Sequence, residues 1–148
     1  MKWKIISADF NKDTGISYVK IDTDLGVFEG KSILHKEDED IVSNFEGCRY
    51  AELRAVTKYI KAKIRNQKIK VETLNNLIIN MEHLYNYAKN TPEARFTRKQ
   101  YYLELKKLKD LKDILKRLQN RILEDMKGYR ELHTKAMEKM NKKHSYEN

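Results

Sequence analysis

The feature that most constrains this chain is a stretch of roughly forty residues, from about Gly47 to about Lys89, without proline or internal glycine and dense in Ala, Leu, Lys, Arg and Glu. Such a composition predicts one long helix. Its apolar positions keep a heptad. Leu53, Ile60, Gln67, Leu74, Met81 and Ala88 are seven apart, as are Thr57, Ile64, Val71, Ile78 and Tyr85, and the two sets alternate at spacings of 4 and 3. That pattern is a coiled-coil seam. The sole proline, Pro92, ends it, and Thr91 is placed to cap a new helix with Pro92 at its first position. Tyr101, Leu108, Leu115, Ile122, Tyr129 and Ala136 then repeat at seven, with Leu111, Leu118 and Leu132 completing the stripe and Asp125 interrupting it. Two helices of matched length, about 47–89 and 94–141, joined by a short loop, predict an antiparallel hairpin. The end, His144 to Asn148, is expected to fray.

The segment before these helices alternates in the period of strands: Trp3/Ile5, then Ile16/Tyr18 against Ser17/Val19/Ile21, then Val27 to Ile33. Asn11-Lys12-Asp13-Thr14-Gly15 and Thr23-Asp24-Leu25-Gly26 each end in a glycine suited to positive φ, as hairpin connections require. The expected fold is therefore α+β. Residues 1–46 form a small three-stranded antiparallel sheet with an acidic loop, and 47–148 form a long helical hairpin. A three-stranded sheet is marginal unless its apolar face is covered, so another part of the chain should pack on it.

A second apolar row, Ile69, Leu77 and Leu84 on the first helix and Leu103, Leu105 and Leu123 on the second, lies off the seam. Another protomer is the simplest cover, which predicts a homo-oligomer. No run of 18 apolar residues exists, so no membrane span is expected, and the N-terminal residues do not read as a signal peptide. The single cysteine, Cys48, excludes an internal disulfide and a Cys/His zinc framework. An intracellular, cytoplasmic protein is the consistent expectation.

Charge gives the first statement about partners. The chain carries a net +9, but residues 1–47 hold 6 Lys/Arg against 10 Asp/Glu, net −4, and the rest holds 25 against 12, net +13. The basicity belongs to the helices and favours an anionic partner there. Lys106, Lys107, Lys109, Lys112 and Lys116 alternate with Glu104, Asp110 and Asp113, a pattern that predicts pairing along the helix surface. Two subsets differ from that background. Arg117 and Arg121 sit four apart, so their planar forks could converge on a phosphate or pyrophosphate. Arg95-Phe96-Thr97-Arg98, with Gln100, Tyr101 and Tyr102, places guanidiniums beside rings near a helix start. The plainer readings are seam packing for Tyr101 and a loop-closing hydrophobic staple for Phe96.

Catalytic constellations are absent. Cys48 with His35 is better read as a small packed cysteine near a helix start, and the carboxylates Glu37 to Asp40 beside His35 are adjacent in sequence rather than spaced to converge on a metal. No GxSxG, P-loop, HExxH or EF-hand spacing occurs. An enzyme is disfavoured, and no cofactor or metal is called for.

The segments Gly26-Val27-Phe28-Glu29-Gly30, Leu34-His35, Glu37-Asp38 and Phe45-Glu46-Gly47-Cys48-Arg49-Tyr50-Ala51-Glu52-Leu53-Arg54-Ala55 resemble the first Thoeris anti-defence family, small phage proteins that act as signal sponges. The likeness covers roughly residues 1–60 in motif detail and the remainder as organisation. It implies a non-enzymatic protein that sequesters glycocyclic ADP-ribose, a cyclic ADP-ribose isomer made by a TIR-domain immune sensor in the host bacterial cytoplasm. It further implies dimers assembled into hexamers, with cyclic oligonucleotides held at separate sites in some members. Helix arginines and an aromatic ring contact the nucleotide in that family, a pattern that falls here on Arg117 and Arg121 and on Phe96 or Tyr87. The competing expectation is a basic coiled-coil DNA- or RNA-binding protein, or a structural adaptor without a ligand.

Overall fold

The computed structural model describes residues 1–33, 44–84 and 91–147. Three strands, β1 (Lys4–Asn11), β2 (Ile16–Thr23) and β3 (Gly26–Ile33), are followed by two helices, α1 (Asn44–Leu84) and α2 (Pro92–Glu147). The α+β architecture expected from the sequence is the one observed. The sheet is an antiparallel meander in the order β1-β2-β3.

Local chemistry sets the turns. Asn11 Oδ1 accepts from the backbone N–H groups of Asp13 at 2.9 Å and Thr14 at 3.3 Å, and Gly15 closes the turn at φ 69°. In the second turn Thr23 Oγ1 accepts from Leu25 N–H and donates to the Gly26 carbonyl at 2.7 Å, with Gly26 at φ 112°. Both positions lie where a Cβ would be strained. The β1–β2 register shifts between Ile5 and Ser7, a bulge on the outer strand.

The chain divides into two compact units, residues 1–59 with 117–148 and residues 60–116, so each long helix contributes to both. In the first unit, the inward residues of β2, Ser17, Val19 and Ile21, are buried together with Ala51, Ala55, Val56 and Tyr59 of α1. Burying side chains such as Val19 and Ile21 contributes about 1.5–3 kcal/mol each. The early turns of α1 are thus the cover that the marginal sheet required. The approach is close at Gly30, where a Cβ would lie 1.7 Å from the Ala51 carbonyl oxygen and 2.6 Å from the Ala55 nitrogen. Only a strand glycine facing small helix residues permits it.

Gly47 belongs to the first turn of α1, earlier than the helix start expected from the sequence, and its missing side chain has the same logic. A Cβ there would meet Ser17 Oγ at 2.7 Å, while Ser32 Oγ donates to the Gly47 carbonyl at 2.6 Å. The Ser17 hydroxyl is buried without a hydrogen-bond partner among the described residues. At the other end of the contact, the Tyr59 hydroxyl donates to Asp24 in the β2–β3 turn, and its ring tilts against Phe28 at 5.7 Å. Trp3 Nε1 donates to Glu52 at 3.1 Å.

In the second unit, Ile60, Ile64, Gln67 and Val71 of α1 and Leu108 of α2 are buried, as the heptad predicts, together with Ala94. Thr91 caps α2: its hydroxyl accepts from Ala94 N–H at 3.2 Å and its carbonyl from Arg95 N–H at 3.0 Å. Pro92 occupies the first helical position, where its lacking N–H costs nothing. The second apolar row is exposed at Ile69, Leu77, Leu103 and Leu105 here and at Leu123 in the first unit. The C-terminal end corrects one expectation. Helix α2 continues through Glu147, because the run from Leu132 to Lys143 is rich in Lys, Met, Ala and Glu and contains neither glycine nor proline.

Candidate functional site

Every residue singled out as a ligand contact lies on α2, except Tyr87, which falls outside the described residues. The helix distributes them around its axis, since neighbouring residues point about 100° apart. Arg95 and Phe96 are both exposed. Phe96 is 64% exposed. Arg98 turns towards α1 and reaches Glu82 at 3.9 Å, a long contact with both side chains partly exposed. Gln100 and Tyr101 are half-buried. Tyr101 packs edge-on against Tyr102, with ring centroids 5.4 Å apart and an interplanar angle of 68°, while Tyr102 itself is 65% exposed. All of these belong to the second unit.

Arg117 and Arg121 belong to the first unit. Both are exposed, and neither has a hydrogen-bond or ion-pair partner among the described residues. Asp113 and Asp125, four residues before and after the pair, form no ion pair with it. The described contacts therefore do not gather the candidate residues into one site. They give an arginine pair in one unit and a group of rings and cations in the other.

The expected lattice of lysine–carboxylate pairs is largely absent. Among the described residues of α2, Lys107 bridges Glu104 at 3.0 Å, whereas Lys106, Lys109, Lys112 and Lys116 leave Asp110 and Asp113 unpaired. Exposed pairs of this kind contribute little, and holding two long side chains together costs rotamer entropy.

One polar cluster was not foreseen. Gln67 occupies a buried seam position and its Nε2 donates both to the Glu104 carbonyl at 2.8 Å and to the Glu104 carboxylate at 2.5 Å. The hydrogen bonds from Gln67 and Lys107 hold the Glu104 carboxyl below its ordinary range, outweighing the opposite effect of burial. The signal was present as a glutamine in an apolar heptad row. Its satisfied hydrogen bonds make it a register pin between α1 and α2 within the second unit.

A second feature missed in the sequence lies at the sheet edge. Arg54 donates to the Lys31 carbonyl at 2.6 Å, and Lys58 donates to the Glu29 carbonyl at 2.7 Å. Four helical residues advance about 6 Å and two strand residues about 6.6 Å, so the two cations meet alternate outward carbonyls of β3.

Among the described residues no group of three or more His, Cys, Asp or Glu side chains could hold a metal, and no helix is long and apolar enough to cross a membrane. Cys48 is a half-buried free thiol, and His35 lies outside the described residues. No family model matches the chain, and no curated protein or solved structure matches it significantly.

Proposed function

We propose that this protein is a non-catalytic binder of a small anionic nucleotide, a phage counter-defence sponge that sequesters a cyclic ADP-ribose isomer such as glycocyclic ADP-ribose in the host cytoplasm without degrading it. The observation that carries the reading is the arginine pair of α2. Arg117 and Arg121 are exposed, four residues apart, and without carboxylate partners among the described residues. Guanidinium forks about one helical turn apart suit the paired phosphates of a diphosphate bridge.

The pair alone is too open for tight binding, since solvent screens exposed charges. The site needs enclosure and a ring for the adenine. A second copy of the chain supplies both in this proposal, and the exposed Leu123, two residues beyond Arg121, gives the apolar contact that would bring it there. The protein is thus a homo-oligomer whose nucleotide sites are completed between protomers.

A thermal-shift series with cyclic ADP-ribose isomers tests the proposal. Saturating ligand at about 100 times Kd stabilises the native state by about 2.7 kcal/mol, a shift of several degrees. One isomer is expected to give that shift and to be released chemically intact on heat denaturation. Absence of a shift with every isomer overturns the proposal. Release of linear ADP-ribose would make the protein a hydrolase.

A further inference from the structure

The first half of α2 carries a row of cations that neither the hairpin seam nor the arginine pair uses. Arg95, Lys99, Tyr102, Lys106 and Lys109 follow one another at spacings of 4, 3, 4 and 3, which places them on one helical face. All five are exposed. Lys99, Lys106 and Lys109 have no carboxylate partner among the described residues, and the two ion pairs at hand, Arg98–Glu82 and Lys107–Glu104, use none of the three. The row ends at Asp113, the next position in the same spacing.

Tyr102 sits in the middle of this row with two cations on either side. Its ring is 65% exposed and meets that of Tyr101 edge-on, with centroids 5.4 Å apart. An exposed aromatic ring offers a face on which a flat group can stack. The three lysines extend about 15 Å along the helix, from Lys99 to Lys109, which is longer than the diphosphate of one small nucleotide and calls for a chain of phosphates. A duplex keeps its bases stacked on each other and offers Tyr102 no free face, whereas a single strand offers both phosphates and bases.

We propose that this face of α2 binds single-stranded nucleic acid, with Lys99, Lys106 and Lys109 tracking the phosphates and Tyr102 stacking on a base. The activity is separate from the nucleotide sponge and resides in the other compact unit. Binding is independent of base identity, because every base has a face to stack and the row holds no side chain fixed for edge recognition.

The test is fluorescence anisotropy of the full chain with a labelled oligo-dT of about 15 nucleotides, alongside a duplex of equal length and polyglutamate. Binding to the single strand is expected, with log Kd rising about 0.7 per log unit of salt for each phosphate neutralised. The Lys106→Gln/Lys109→Gln variant should lower that slope by about 1.4. Tyr102→Ala should weaken binding about tenfold, Tyr102→Phe should restore it, and circular dichroism should stay unchanged because the ring is exposed. No binding at about 50 mM salt overturns the proposal. Equal affinity for duplex or polyglutamate, or wild-type affinity in Tyr102→Ala, overturns it too. The Arg117→Ala/Arg121→Ala variant is expected to keep oligonucleotide binding, so failure of the sponge and failure of this surface are read separately.

Discussion

The guanidinium of Arg54 donates to the backbone carbonyl of Lys31 at 2.6 Å, so a helix side chain occupies a hydrogen-bonding position that a neighbouring strand would otherwise take. Lys58 repeats the contact at Glu29. An open strand edge invites pairing between molecules, and cations are a common block. On the opposite edge, β1 carries its bulge at Ile6, which disrupts pairing there.

Removing the two donors should open the β3 edge. Arg54→Met with Lys58→Met keeps most of each apolar stem and deletes the donors, at a cost of about 1 kcal/mol for each exposed hydrogen bond. The expected result is a lowered Tm together with concentration-dependent, thioflavin-positive association on prolonged incubation. A variant that remains as dispersed as the parent chain would show that the edge needs no block.

Gly30→Ala is expected to be among the most damaging single substitutions in the sheet. The new Cβ would meet the Ala51 carbonyl and the Ala55 nitrogen, both backbone atoms of a helix that cannot yield locally. Overpacking costs typically 1–3 kcal/mol, and a contact against backbone belongs at the upper end. Urea denaturation should show a lower midpoint by that amount. Gly26→Ala provides the contrast, since its added Cβ meets nothing within 4 Å and its cost is only the strain of φ 112°.

Acid should weaken the hairpin through Glu104. Its folded-state pKa is lowered by Gln67 and Lys107, so its contribution is complete above the unfolded value near 4.5 and is lost as the pH falls through the lower folded value. Glu104→Gln retains an acceptor for Gln67 and has no such titration. Between pH 6 and pH 3 the parent chain is expected to lose more thermal stability than this variant. Parallel melting curves across that range would remove Glu104 from the account.

For the sponge, Arg117→Ala/Arg121→Ala should abolish the ligand-induced thermal shift while leaving helicity unchanged, because both side chains are exposed and neither has a partner to lose among the described residues. Calorimetry with the stabilising isomer is the direct check. Unaltered affinity in the double variant would move the binding site elsewhere.

The parts of the fold that were legible in the sequence are those fixed by local rules. The Thr91–Pro92 cap, the glycines at 15 and 26, and the seam through Ile60, Ile64, Gln67 and Val71 each follow from spacing within a few residues. The sheet-facing stripe of α1 was not read, because Ala51 and Ala55 are too small to announce a buried face without knowledge that Gly30 lies against them. Arg54 and Lys58 were not singled out, for a related reason: their partners are backbone carbonyls, which carry no residue signature. The candidate ligand residues were legible as types and not as a site. Their gathering depends on long-range placement, and sequence spacing along a single helix says nothing about that.

The cover of the sheet has a consequence for the order in which the chain matures. The bonds that tie α1 to the sheet and its flanking residues span sequence separations of 15 to 49 residues, from Ser32–Gly47 through Arg54–Lys31, Lys58–Glu29 and Tyr59–Asp24 to Trp3–Glu52. None involves α2. Contacts this short close quickly, and an emerging chain reaches residue 59 well before α2 is made. The three-stranded meander is therefore roofed during synthesis, and its edge is shielded at the stage when nascent chains are crowded together.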